Sequence, residues 1–198
     1  MTPIRTERLS LEPVTSEAGN ATALWRLMQS PDLREFQDVP RLTRDEFERR
    51  VERRPQRLHA RASGRFEWLI YKTRTRAALG WISLRLGDNT PGVGEVGYSL
   101  LGEYRGHGYA SEAVSGLLES VFASSDIARV EACCVPDNAP SRKLLSRLGF
   151  AQRKVQRNGA VVRGRTVDVI VFELKREEWN AYGSSANSIV IPASPKSK

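Results

Sequence analysis

The sequence predicts a mixed α/β domain built around one mostly antiparallel sheet, with a single parallel strand pair near its centre. Three observations carry that expectation. Apolar periodicity runs in the order β-α-α-β-β-β-α-β-α-β-β. The early strands are separated by short polar turns, as antiparallel neighbours require. The strand–helix–strand unit across residues 95–135 needs a crossover, which makes its two strands parallel. With 198 residues, 40% hydrophobic and 27% charged, the chain is ample for one cored domain and short for two. We place the domain over 5–179. Residues 183–198, rich in Ser, Ala, Pro and Lys, read as a flexible tail.

Arg8 to Pro13 alternates and predicts the first strand, followed by a helix over Ser16 to Gln29 with Leu24, Leu27 and Met28 on one face. Thr43 and Glu46 have the spacing of a capping box, in which hydroxyl and carboxylate each satisfy an orphan backbone N–H. Phe47, Val51 and Leu58 mark the apolar stripe beyond it, and Pro55 should end or kink the helix near Arg54. Phe66–Lys72, Leu79–Leu86 and Glu95–Leu100 are rich in β-branched and aromatic residues and predict three strands; Asp88–Gly92 is loop chemistry. The period then changes. Gly108–Phe122 predicts a helix with Ala113, Leu117 and Val121 inward, and Arg129–Val135 predicts a buried central strand. Asn138–Leu148 is a short helix with Gly149 at its C′ position. Residues 151–175 predict two strands around a turn near Asn158-Gly159, and Trp179 closes the domain.

Composition excludes several classes. Mean hydropathy is −0.43, and no run approaches the roughly 20 apolar residues of a membrane helix. The N-terminus has no apolar signal core, so the expected location is cytoplasmic. The only cysteines, Cys133 and Cys134, are adjacent in a predicted strand; they face opposite sides and suit a reducing compartment. No metal-ligand spacing is present, and His59 has no partner in sequence. The net charge of +8 is concentrated: residues 41–76 hold eleven Arg and one Lys against five acids. That block would suit an anionic partner such as RNA or a ribosome, or be a solvated helix face, since Glu46, Glu48 and Glu52 interleave with the arginines.

The segment Glu95 to Ala113 carries the chemistry. A strand runs into Arg105-Gly-His-Gly108-Tyr-Ala110 and straight into a helix. Small residues at 106, 108 and 110 let backbone approach a ligand. The free N–H groups and dipole of the first helical turn favour a phosphate or pyrophosphate, and Arg105 adds positive charge. The loop lacks the Gly-Lys-Ser/Thr ending of a Walker loop. It also lacks the third Gly and early placement of a dinucleotide fingerprint.

R-x-x-G-x-A, with EVGYSL before it, Asn138-Ala-Pro-Ser141 and Leu148-Gly149-Phe150 after it, and Asp168…Glu177-Glu178-Trp179 at the close, resembles the GNAT superfamily of N-acetyltransferases. Within it, the ribosomal-protein N-acetyltransferase branch is most similar. The resemblance implies the GNAT fold, helices on both faces of the sheet, and acetyl-CoA as cosubstrate. It further implies that the backbone of Tyr98, Ser99 and Leu100 pairs with the pantetheine arm and that Gly106, His107, Gly108, Tyr109 and Ala110 hold the pyrophosphate. Asn138 would hydrogen-bond the pantetheine and Ser141 would lie near the sulfur. In related branches a Tyr seven residues after the Asn protonates the thiolate; here that position is Leu145.

Acetyl transfer to an amine needs a deprotonated amine, an aligned thioester, donors for the oxyanion near Leu100, and a departing thiolate. Glu95 is the candidate base, with Glu103 and Glu112 as rivals, and Ser141 the candidate acid. Trp25, Phe36, Asp38 and Trp68 are candidates for lining an acceptor site between the first two helices and the hairpin at 156–165. The acceptor would be a protein N-terminal α-amine or a small amine such as an antibiotic, a polyamine or an amino acid. A non-catalytic CoA- or RNA-binding module is the reading from another class, and the expected state of the chain is monomer or homodimer.

Overall fold

The computed structural model describes residues 1–15, 19–37, 41–54, 58, 62–87 and 90–179. Its strands are β1 (Ile4–Arg5), β2 (Leu9–Pro13), β3 (Gly64–Lys72), β4 (Ala78–Leu86), β5 (Val93–Leu100), β6 (Arg129–Cys134), β7 (Ala151–Val162) and β8 (Arg165–Lys175). The helices are α1 (Ala21–Met28), α2 (Arg44–Glu52), α3 (Tyr109–Ser124) and α4 (Ala139–Arg147), with 3-10 turns at Pro31–Arg34 and Gly102–Tyr104. The strands form one sheet in the order β1-β2-β3-β4-β5-β6-β8-β7. Among the described strands only the β5–β6 pair is parallel, and α3 makes its crossover.

The sheet has an apolar core on each side. Ala113, Leu117 and Val121 of α3 and Leu144 and Leu145 of α4 pack on Trp68, Ile82, Val130 and Phe172. Leu24 and Met28 of α1 and Phe47 and Val51 of α2 cover Leu69 and Trp81, which are opposite each other in register. Period-2 alternation sorts Trp68 and Leu69 to opposite faces. The capping box starts α2 as expected: Thr43 N donates to Glu46 Oε2 at 2.8 Å and Glu46 N to Thr43 Oγ1 at 3.3 Å.

Several expectations are corrected. The 151–175 hairpin does not turn at Asn158-Gly159. It turns at Arg163-Gly164, where both φ values are positive, 52° and 74°, as a tight primed hairpin turn demands. Asn158, also at φ 52°, sits in a bulge between Gln156 and Ala160, held by its N–H to Asp168 Oδ1 at 2.9 Å. An Asn-Gly pair suits either site, and the register of β8 decides. The first helix starts at Ala21 instead of Ser16; residues 16–18 lie outside the described set. The second ends at Glu52, so Leu58 packs against the main core rather than extending the Phe47–Val51 stripe. The two-residue β1 has no signal in the sequence pattern. The 183–198 tail and His59 lie outside the described residues.

Candidate active site

The parallel pair supplies the site by coming apart. β5 and β6 are in register from Val93↔Arg129 to Val96↔Ala132 and no further. Beyond that point β5 stays on β4 and β6 stays on β8, so a slot opens through the sheet. Leu101 N donates to Leu79 O at 2.9 Å, so by alternation Ser99 also faces β4 while the N–H and C=O groups of Tyr98 and Leu100 face the slot. Leu100 O is taken by Arg105 Nε at 3.1 Å. Tyr98 N–H and C=O remain for an extended, amide-bearing chain such as a pantetheine arm, and Leu100 N–H remains as a further donor in the slot.

Two cavities meet at this slot. One, of about 130 Å³, lies on the α4 side and is lined by Tyr98, Ser99, Asn138, Ser141 and Leu145. The other, of about 320 Å³, lies on the α1–α2 side and is lined by Glu95, Arg65, Arg85, Trp81 and the hairpin residues Val161 and Val162. Phe36, Gln37, Gly97 and Cys133 line both, so the two are continuous.

Around the smaller cavity, the Tyr98 hydroxyl and Ser141 Oγ are 2.8 Å apart. Burial pushes the Tyr98 phenol up to about 12, so it keeps its proton throughout the physiological range. Asn138 caps α4 through Oδ1, which accepts from Ser141 N at 3.1 Å, leaving its NH2 group for a ligand. Leu145, where related branches carry Tyr, is fully buried. Burial likewise raises both thiols, that of Cys133 to about 11, so neither cysteine is a thiolate at neutral pH.

The glycine loop between β5 and α3 has the expected geometry. Gly106 and Gly108 adopt φ of 78° and 81°, which side chains with a Cβ rarely tolerate. Gly108 is the N-cap of α3 and offers no capping side chain. Glu112 N is the first amide of this helix to reach an intrahelical carbonyl, Gly108 O at 3.0 Å, so Tyr109, Ala110 and Ser111 present theirs outward. Two cations near the loop are not foreseen from the sequence. Arg8 lies 4.7 Å and Lys72 5.6 Å from the Tyr109 ring centroid, and Arg8 Nη1 donates to His107 O at 3.1 Å. Nothing local in RLSLEP or YK points to the loop; only sheet pairing of β2 with β3 brings them there.

Arg105 is placed differently from its expected use. Its guanidinium donates to Leu100 O, to Asp32 O at 2.6 Å and to Glu35 Oε2 at 2.5 Å. With Gly102 N donating to Asp32 Oδ2 at 2.7 Å, it straps the 31–37 segment, and so Phe36 and Gln37, over the cleft. Among the described residues, the backbone amides, the exposed His107, Arg8 and Lys72 are the groups beside the loop.

Glu112, a rival for the base, is structural. It accepts from Thr6 Oγ1 at 2.6 Å, Arg8 N at 2.7 Å and Arg8 Nε at 2.6 Å. Burial raises its carboxyl, but those hydrogen bonds and the Arg8 charge outweigh it and hold it below the usual glutamate value. Folding therefore favours the ionised form. That stability is present above the unfolded value of about 4.3 and is lost as pH falls through the lower folded value. Glu112→Gln is expected to melt below the parent at pH 7, with the gap narrowing under about pH 4 in a melting series. A gap independent of pH would show that the charge is not what holds the loop.

Of the other candidates, Glu95 lines the larger cavity and is ion-paired with Arg85 across β4–β5. Glu103 is exposed in the turn after β5, and His107 is exposed with its ring 5.9 Å from that of Tyr109. Phe36 lines both cavities. Trp68 lines neither: it is buried in the α3–α4 core on the other face of the sheet. Trp25 donates Nε1 to Leu42 O at 2.9 Å and packs on the α1–α2 core without lining the cleft. Asp38 lies outside the described residues. The tryptophan that lines this site is Trp81, on the neighbouring strand. Four cations of the basic block are paired within the chain: Arg54 and Arg65 with Glu67, Arg76 with Glu12 and Arg44 with Asp45.

The family described as "Acetyltransferase (GNAT) domain" matches residues 8–151. The chain belongs to the GNAT acetyltransferase family. It is 30% identical over 180 residues, 90% of its length, to the uncharacterized N-acetyltransferase p20 of Bacillus licheniformis, of which that alignment covers 99%. It is 31% identical over 100 residues to YdaF of Bacillus subtilis, provisionally named a ribosomal N-acetyltransferase, covering 50% of this chain and 55% of YdaF. Its fold is similar to that of RimL, a ribosomal L7/L12 alpha-N-protein acetyltransferase solved with coenzyme A (TM-score 0.74, 21% identity, 88% of this chain and 98% of that one). As a GNAT enzyme the chain is an acetyl-CoA-dependent N-acetyltransferase, and the split β5–β6 pair is its candidate active site. No helix among its described residues is long and apolar enough to cross a membrane.

Proposed function

We propose that the chain transfers the acetyl group of acetyl-CoA to the α-amine of a protein N-terminus, by direct attack in a ternary complex. The observation that carries this reading is the slot, which opens to a cavity on each face of the sheet. Donor and acceptor can therefore be bound at once on opposite sides of one thioester, which is the alignment that direct attack needs. The acceptor cavity is walled by a hairpin whose Val161 is 47% exposed, so a peptide can run out over it. The provisional name of YdaF and the activity for which RimL is named support a ribosomal-protein N-terminus as acceptor.

In this reading Glu95 takes the proton of the attacking amine, directly or through a water. An α-amine has a pKa near 8, so modest base assistance suffices. The amine nitrogen bonds to the carbonyl carbon, Leu100 N–H receives the oxyanion, and the carbon–sulfur bond breaks. Ser141 hydrogen-bonds the departing thiolate and keeps its own proton, while the proton taken by Glu95 passes to solvent. Tyr98, held neutral by burial, donates to Ser141 Oγ and so turns the serine proton toward the sulfur. Ser141→Ala and Tyr98→Phe are each expected to lower kcat about tenfold, the loss of one hydrogen bond of about 1.4 kcal/mol in the transition state. The double variant should lose little more than either single, because the two groups act as a unit. Additive losses would separate them.

Melting temperature with and without acetyl-CoA, with ATP and NADH as controls, tests the donor site. At a hundredfold excess over Kd the ligand contributes about 2.7 kcal/mol, a rise of roughly 5–10 °C for a chain of this size. A peptide and small-amine panel scored by released thiol then tests the acceptor. Turnover of small amines alone would overturn the N-terminal reading.

A further inference from the structure

The register of the sheet sets five charged residues in one row. Arg65 on β3 is opposite Arg85 on β4, Arg85 opposite Glu95 on β5, Glu95 opposite Glu131 on β6, and Glu131 opposite Glu173 on β8. Arg153 on β7 reaches Glu173 from the far edge. Directly opposed residues share a face, so Arg65, Arg85, Glu95, Glu131 and Glu173 all belong to the acceptor side of the sheet. Like charges directly opposed destabilise a sheet, and this row contains such pairs on both sides of Arg85 and Glu95. The acidic end is answered: Arg129 pairs with Glu131 and Glu173, and Arg153 with Glu173. The basic end is not answered in full. Glu95 pairs with Arg85, but Glu67, buried to 1% exposure, is shared by Arg65 and Arg54. Among the described residues that line the acceptor cavity the charged ones are Arg65, Arg85 and Glu95, one positive charge in excess.

We infer that the acceptor is a peptide N-terminus carrying an acidic residue at its second or third position. The polarity and spacing of the row set this choice. With the amine at Glu95 beside the slot, Arg65 and Arg85 lie one to two strand spacings away, about 5–10 Å of sheet. An extended peptide advances about 3.3 Å per residue, so a carboxylate at position 2 or 3 reaches the same distance from its own α-amine. An amine-rich acceptor such as a polyamine would set its further charges against two guanidiniums. This inference rests on the N-terminal reading above and adds to it the charge of the residues next to the amine.

The test compares kcat/KM for peptides that begin with Ala and differ only at positions 2 and 3, carrying Asp and Glu, Asn and Gln, or two Lys. The acidic peptide is expected to exceed the neutral one by about three- to tenfold and the basic one to fall below it by as much. The preference should shrink when ionic strength is raised. Arg65→Gln should shrink it too, while the acetyl-CoA-induced rise in melting temperature is kept. Should that variant fail to fold, the salt dependence of the unaltered chain decides the same point. Equal rates across the three peptides, or a preference for Lys, overturns the inference and leaves N-terminal acetylation standing. A panel in which small amines turn over and no peptide does overturns both.

Discussion

Glu95→Gln is expected to lower kcat/KM by about 10²–10⁴-fold while acetyl-CoA still raises the melting temperature, the range of a lost general base. The substitution conserves shape, and the amide oxygen can still accept from Arg85, so the row across β4 and β5 is kept. The variant loses the capacity to take a proton at the edge of the slot. The neighbouring thiol cannot replace it: Cys133 is raised to about 11 by burial, with the Glu95 and Glu131 charges adding to the effect, and stays protonated. Glu112 cannot replace it either, being bound to Thr6 and Arg8 at the cofactor loop. Rates measured on a peptide acceptor from pH 6 to 9 give a second readout. An amine deprotonated by solvent alone reacts faster as pH approaches its own pKa near 8, so the variant should regain most ground at the alkaline end. Turnover equal to the parent at pH 7 removes Glu95 from the mechanism.

Arg54→Met is expected to destabilise the fold by about 3 kcal/mol, or roughly 6–12 °C in melting temperature. Arg54 closes the end of α2 onto Glu67 in the middle of β3, where that carboxylate is 1% exposed. Burial pulls the guanidinium below its ordinary value and the Glu67 charge pushes it back. Removing the cation leaves a buried carboxylate with only Arg65, 3.6 Å away and half exposed, to answer it. Arg54→Met combined with Glu67→Leu should recover most of the loss, because it is the stranded charge and not the missing contact that costs. A mild single variant, or a double variant no better than the single, would show that the pair does not hold α2 to the sheet.

Where order along the chain decides, the sequence is legible. β-Branched and aromatic runs locate β3 to β5, a continuous apolar run locates β6, the Thr43–Glu46 spacing locates the start of α2, and Arg105–Ala110 locates the turn into α3, because each signal and its structural cause lie within a few residues of one another. Where the partner is distant, legibility fails. Asn158-Gly159 reads as a turn because two residues of local preference favour one; the pairing of β7 along β8 makes it a bulge and moves the turn to Arg163-Gly164. Trp68 and Trp81 are both strand tryptophans, and only the register says which face each occupies. Arg105 reads as a phosphate contact from its place in the motif, yet its guanidinium finds Asp32 and Glu35, some seventy residues earlier.

Residue order alone was enough for the fold class, the parallel pair and the glycine loop with its outward amides. These follow from backbone preference and periodicity, which are local properties. Tertiary packing was needed to separate β5 from β6 after Val96 and Ala132, to bring Tyr98 to Ser141, to set Arg8 and Lys72 beside the loop, and to align Arg65, Arg85 and Glu95 in one row. Each of these is a contact between segments far apart in the chain. Its energy comes from a side chain that no window of neighbouring residues contains, so it exists only once the sheet has chosen its register.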